Sequence, residues 1–185
     1  GRVENGGLIM HNGLKVRMGD FSYSGDFGEI VLRANKGVHE PQEEVIFSEV
    51  LKHMPAGAVM LELGAYWAFY SMWFHSLVKG ARCFMVEPDD FCRRCGEENF
   101  RLNGFSGTFI AGRVGREGLN IDRFLKDRSV ETLHILHSDV QGAELDMLRS
   151  CEEALDQGRI WYVFLSTHSQ ELHYSCLDLL RRFNY

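Results

Sequence analysis

The sequence has 185 residues, 45% hydrophobic and 25% charged, with a formal charge of −6. That length and balance suit one globular domain with a well-filled core and exclude an extensively disordered chain. The basic residues are scattered, and the densest group, Arg93, Arg94 and Arg101, is diluted by Glu97 and Glu98, so the basic stripe of a nucleic-acid binder is missing and no nucleic-acid partner is expected.

Residues 1–37 are rich in glycine and read as a small N-terminal β element. Leu14, Val16 and Met18 alternate with Lys15 and Arg17, as a half-buried strand should, and residues 29–33 read as a second strand. Pro41 opens a helix whose first turn carries Glu43 and Glu44, acids that suit the helix dipole. It runs to about Met54, where Pro55 and Gly57 stop it. Residues 58–63 form a buried strand. Residues 66–78 form a helix that is apolar almost all round. The longest uncharged run, residues 63–78, is shorter than the roughly 20 residues of a membrane span and holds Ser71, His75 and Ser76, so no membrane partner is expected.

Residues 82–87 are a strand. Asp89 caps a helix to about Leu102, with Phe91, Cys95 and Leu102 expected on its buried face. Cys92 and Cys95 form a C-x-x-C without a second pair, and read as two ordinary helix positions. The five cysteines, with no secretory segment ahead of them, suggest reduced thiols in the cytoplasm. Residues 108–111 are a strand, 112–128 a looser stretch, 133–139 a strand, 143–155 a helix, 160–166 a strand and 169–183 a helix. This alternation predicts a doubly wound, mostly parallel α/β sheet over residues 38–185. The sequence stops at Tyr185, directly after a helix, where a sheet of this kind ordinarily continues, so further strands are expected beyond it.

In such a sheet, ligands bind beyond the carboxyl ends of the strands. Those ends read Glu62-Leu63-Gly64-Ala65, Val86-Glu87-Pro88-Asp89, Ile110-Ala111-Gly112-Arg113, the run from His137 to Gly142, and Ser166-Thr167-His168-Ser169: polar residues or glycine at every one. Gly64 follows a buried strand and allows close backbone approach to a ligand. Tyr66 stands where a G-x-G-x-x-G fingerprint opening at Gly64 has its second glycine, which leaves a pyrophosphate hard to seat on the following helix. A ligand without phosphate, such as S-adenosylmethionine (SAM), fits better. Glu87 follows Gly64 by 23 residues, a spacing at which an acid accepts hydrogen bonds from ribose hydroxyls. Tyr66 and Trp67 either face a sulfonium through their rings or pack in the core beside Phe69 and Phe74.

The segments LELGAYWAFYS at 61–71, VEP at 86–88, NFRLN at 99–103, HSDVQGAE at 137–144 and STHS at 166–169 resemble the FkbM-type SAM-dependent methyltransferases, from about residue 40 to the end. The resemblance implies a Rossmann-like SAM-methyltransferase sheet and O-methylation of small molecules, including sugars and polyketides. It places Glu62, Gly64 and Ala65 at the methionine end of SAM, Glu87 at the ribose, and Gly112 and Arg113 near the adenine. Tyr66 and Trp67 depart from the family, which more often has Asn and a small residue there.

Removal of a hydroxyl proton requires a base at the strand ends. His137, Asp139 and His168 are the candidates, and Asp139 with His168 is the chosen catalytic pair. Asp139, Glu144, His168 and His173 include donors that suit a divalent metal, while Glu144 equally suits a first-turn helix acid; no metal is assigned. His134 falls on the strand face opposite His137. Two rival functions are a nicotinamide-dependent oxidoreductase and a non-catalytic SAM-fold binding module. The acceptor is expected to be a small molecule.

Overall fold

The computed structural model describes residues 2–4, 7–18, 26–115 and 118–185. The remaining parts of the expected N-terminal β element and of the 112–128 loop lie outside the described residues.

Strand β4 (Val59–Leu63) is buried along its whole length, and its alternating side chains feed two separate cores. Met60 joins one core, and Val59, Leu61 and Leu63 the other. A strand apolar on both faces belongs in the middle of a sheet covered by helices. β4 indeed pairs in parallel with β5 (Arg82–Glu87) on one side and β7 (Leu133–Ser138) on the other. β6 (Thr108–Ala111) and β8 (Ile160–Leu165) complete a five-stranded sheet in the order β6-β5-β4-β7-β8. The order reverses at β4, so the crevice at the carboxyl ends of β4, β5 and β7 is the topological switch point.

Helices α2 (Pro41–Leu51), α3 (Phe69–Leu77) and α4 (Asp90–Leu102) supply Phe47, Phe74 and Phe100 to the first core. Phe47 and Phe74 are fully buried, each worth about 1.5–3 kcal/mol relative to exposure. Helices α5 (Ile121–Asp127), α6 (Glu144–Arg149), α7 (Glu152–Asp156) and α8 (Gln170–Arg182) cover the other face through residues such as Leu125, Leu148, Leu155 and Leu179. At the N-terminus, β1 (Arg2–Glu4), β2 (Gly7–Ile9) and β3 (Lys15–Arg17) form a small antiparallel sheet, whose Leu8 and Val16 join the first core.

Four details differ from the sequence reading. Residues 29–33 lie in helix α1 (Asp26–Ala34) rather than in a strand. Leu32 is its buried contact, and the helix is closed by Gly37 N–H donating to Leu32 O at 2.7 Å. The 112–128 stretch contains α5, whose cap Asn120 accepts from Arg123 N–H at 2.9 Å. The helix expected over 143–155 is two helices. Ser150 turns its hydroxyl back to Met147 O at 2.7 Å and receives Ile121 N–H at 3.3 Å, so the break docks α5. On α4 the buried face is Cys95, Gly96, Asn99 and Phe100, while Phe91 and Leu102 are exposed. Cys92 and Cys95 both lie on this helix. Among the described residues no helix is long and apolar enough to cross a membrane.

Candidate functional site

The loop that leaves β4 is the first wall of the crevice. Gly64 has φ 72°, and a Cβ there would lie 1.9 Å from the carbonyl oxygen of Asp139. Glycine is therefore required twice over, by dihedral and by space. Asp139 N–H donates to Leu63 O at 2.9 Å, which locks the β4 and β7 ends together. Tyr66 and Ala68 also hold left-handed backbone, φ 45° and 59°. The loop thus keeps a glycine-like path while carrying side chains, at about 1 kcal/mol or more per residue, and its surroundings must hold it. Tyr66 N–H donates to Glu87 Oε2 at 3.0 Å, Trp67 O accepts from Asn99 Nδ2 at 3.1 Å, and Ala68 N–H donates to Ala65 O at 2.6 Å.

Glu62 is buried beneath this loop, and its carboxylate accepts Ser71 N–H, in the first turn of α3, at 3.1 Å. The anion position at the helix N-terminus is thus filled from within the protein, and a pyrophosphate would meet a carboxylate there. Burial raises the Glu62 pKa above the usual range despite the opposing pull of His137, its direct cross-strand neighbour. Trp67 is buried and stacks on Phe69 with ring centroids 5.1 Å apart, so it is a core residue. Tyr66 is partly buried against the same core.

Glu87 ends β5, and its second oxygen accepts Asp89 N–H at 3.0 Å. Asp89 in turn caps α4 through Phe91 and Cys92 N–H, both at 2.9 Å. Gly112 and Arg113 follow β6, whose Ala111 pairs with Glu87. These four positions share one edge of the sheet.

The other wall is made by β7 and β8. His168 Nδ1 lies 2.6 Å from Glu144 Oε1, and its Nε2 lies 3.2 Å from Asp139 Oδ1. The second contact is at ion-pair distance but not aligned as a hydrogen bond, and Asp139 Oδ1 has no hydrogen-bond partner among the described residues. Glu144 is fully buried and also accepts Gly142 N–H at 2.9 Å. Burial works against its ionisation, but the Gly142 and Glu144 N–H groups and His168 outweigh it and hold its carboxyl below the usual range. Asp139 goes the other way. Burial raises it, the charges of Glu40 and Glu43 add to the rise, and His168 opposes it. The structure thus brings Asp139, Glu144 and His168 together. His173 is exposed, 3.4 Å from the Thr167 hydroxyl, and His134 accepts Val59 N–H at 3.1 Å away from the crevice. Among the described residues no group of three His, Cys, Asp or Glu side chains is arranged to hold a metal ion.

The sequence reading missed three contributors. His137 Nε2 meets Glu43 Oε1 at 2.6 Å, and Tyr70 donates its hydroxyl to Glu40 Oε2 at 2.8 Å beneath the His137 ring, centroids 4.2 Å apart. Glu40 and Glu43 begin α2, and in the sequence they are indistinguishable from ordinary first-turn acids. Only the packing of the helix that precedes β4 brings them to the strand ends.

The switch-point crevice thus has a glycine-hinged first loop, an acid ending the second strand and a buried carboxylate beneath the first helix, at the place where a Rossmann-like sheet binds its ligand. The carboxylates around the crevice suit a cationic ligand such as SAM. The profile of the methyltransferase FkbM domain matches residues 85–185, more than half of the chain. The protein belongs to the FkbM methyltransferase family, which implies SAM as its cofactor. No curated protein matches the sequence. Among solved structures, the METTL16 MTase domain is similar at TM-score 0.60 and 15% identity, over 97% of this chain and 78% of that one. The precorrin-6y C5,15-methyltransferase of Geobacter metallireducens GS-15 is similar at 0.56 and 14%, over 76% and 71%. A SAM-dependent methyltransferase from Agrobacterium tumefaciens is similar at 0.53 and 17%, over 80% of this chain but only 51% of that one. At these identities the likeness is one of fold.

Proposed function

We propose that the protein is a SAM-dependent O-methyltransferase acting on a hydroxyl of a small molecule such as a sugar or polyketide, with His168 as the base. The observation that carries this reading is the Glu144–His168–Asp139 array at the strand ends. Fully buried Glu144 receives the Nδ1 proton, which fixes the tautomer and leaves the Nε2 lone pair facing the crevice. Asp139 beside Nε2 stabilises the imidazolium that forms once a proton is taken. Glu87 would hold the ribose, Gly64, Ala65 and Tyr66 would border the methionine end beside buried Glu62, and Gly112 and Arg113 would lie near the adenine.

SAM supplies an electrophilic methyl carbon on a positively charged sulfur. Bound in the crevice, it would give that methyl to the acceptor oxygen and keep the carbon–sulfur bonding pair on sulfur, while His168 Nε2 would take the hydroxyl proton. The site's task is alignment and proton removal. The crevice carboxylates Glu40, Glu43 and Asp139 repel phosphates, which supports a small uncharged acceptor over RNA. The free thiols Cys83, Cys151 and Cys176 support a cytoplasmic setting.

The test is transfer of a labelled methyl group from SAM to a panel of sugars and polyketide alcohols, with an RNA hairpin beside them. Label is expected on a hydroxyl compound and not on RNA. His168→Gln should lower kcat by about 10²–10⁴-fold while S-adenosylhomocysteine still binds. Label on RNA, or wild-type kcat in the variant, contradicts the reading. Cofactor binding without turnover on any acceptor would instead support the binding module.

A further inference from the structure

Helix α4 turns Asn99 and Asn103 toward β3. Asn103 Oδ1 accepts Lys15 N–H at 2.9 Å, and its Nδ2 donates to Lys15 O at 2.7 Å. Asn99 Oδ1 accepts Arg17 N–H at 2.9 Å. One helical turn of four residues advances about 6 Å, close to the roughly 6.7 Å between alternate residues of a strand. Two asparagines four apart therefore match the spacing of Lys15 and Arg17 and satisfy the edge of β3 that β2 does not cover.

Asn99 does one thing that Asn103 does not. Its Nδ2 donates to Trp67 O at 3.1 Å, and the residue is only 3% exposed. Trp67 sits between the two left-handed residues Tyr66 and Ala68, so its carbonyl belongs to the most strained peptide stretch of the β4 loop. A buried carbonyl needs a donor, and this one receives it from a side chain that is itself held by β3. One turn earlier on the same helix, a Cβ at Gly96 would lie 3.1 Å from Tyr66 O and 3.3 Å from Ala68 Cβ. Helix α4 thus approaches the loop closely at Gly96, where the Phe109 ring would lie nearer still, at 2.8 Å.

We infer that Asn99 is a positioning residue that ties the N-terminal sheet to the β4 loop and holds residues 64–68 in their cofactor-binding shape. The link to the cofactor rests on the proposed methyl transfer; the hold on the loop does not. The geometry calls for a neutral amide, since its carbonyl takes the strand's N–H and its NH₂ serves the loop. Asn99→Asp keeps the acceptor for Arg17 and loses the donor for Trp67. Asn103→Ala releases Lys15 and leaves the loop bond intact.

The experiment is hydrogen exchange of the full chain without cofactor, followed by titration with S-adenosylhomocysteine. Asn99→Asp should speed exchange at the Tyr66 and Ala68 amides and weaken binding, each about tenfold, the scale of one lost hydrogen bond. Asn103→Ala should change neither. Wild-type exchange in Asn99→Asp, or equal acceleration in Asn103→Ala, overturns the inference. If Asn99→Asp does not fold, Asn99→Ser, with a hydroxyl too short to span to Trp67, is judged by the same exchange criterion. Failure of the wild-type chain to bind S-adenosylhomocysteine would sink the methyl-transfer reading, and the exchange result would still decide the role of Asn99.

Discussion

Gly64 and Gly104 offer a matched pair, because both have φ 72° yet only one is crowded. A Cβ on Gly104 meets nothing within 4 Å, whereas one on Gly64 would lie 1.9 Å from Asp139 O and 2.9 Å from Asp139 C. Gly104→Ala should therefore cost only the left-handed penalty, about 1 kcal/mol. Gly64→Ala carries that same penalty and must also part the β4 and β7 ends by more than an ångström. The Asp139 N–H to Leu63 O bond then breaks, at about 1 kcal/mol, and the displaced backbone adds roughly 1–3 kcal/mol of overpacking. The expected cost is about 3–5 kcal/mol, a Tm drop on the order of 10 °C, against roughly 3 °C for Gly104→Ala. Urea unfolding of both variants gives the comparison. Equal losses would refute the claim that contact between the β4 loop and the β7 turn, rather than backbone dihedral alone, requires glycine at position 64.

Two further variants test the walls of the crevice. Glu87→Ala should weaken S-adenosylhomocysteine binding by roughly 1–3 kcal/mol, and unchanged affinity in the folded variant would remove Glu87 from the ribose role. His137 bears on pH dependence. Burial opposes its charge, but the hydrogen bond to Glu43 and the charge of Glu62 outweigh it and raise its pKa above the ordinary value. A raised folded-state value means that the stabilisation is complete below the unfolded pKa, near 6.5, and is lost as pH climbs through the folded one. The urea midpoint should thus fall between pH 6 and pH 9, and Glu43→Gln should flatten that slope. A midpoint that rises across the window contradicts the assignment.

The main sheet was legible because its strands are short apolar runs, each between turn residues and helical patterns. Residues 82–87 and 108–111 match β5 and β6 at both ends, and Asp89 caps its helix as read. What failed depended on tertiary contact. α1 was hidden in a glycine-rich stretch, α5 is only seven residues long, and the break after α6 arises from Ser150 bonding to α5. The same limit applied at the crevice. Asp139 and His168 sit at the ends of adjacent parallel strands, so register alone brought them together, and the structure places them 3.2 Å apart. Glu43 is separated from His137 by 94 residues, and no local pattern couples them. Asn99 stood in the NFRLN segment that carried the family resemblance, but its two partners lie on different elements, so no local pattern showed what it holds.

The most direct test of the account is calorimetric titration of the protein with S-adenosylhomocysteine, with NAD as the parallel ligand. A crevice shaped by Gly64 and Glu87, with Glu62 occupying the anion position of α3, should bind the first at micromolar concentration and the second not at all. Binding of NAD, or of neither ligand, would contradict it.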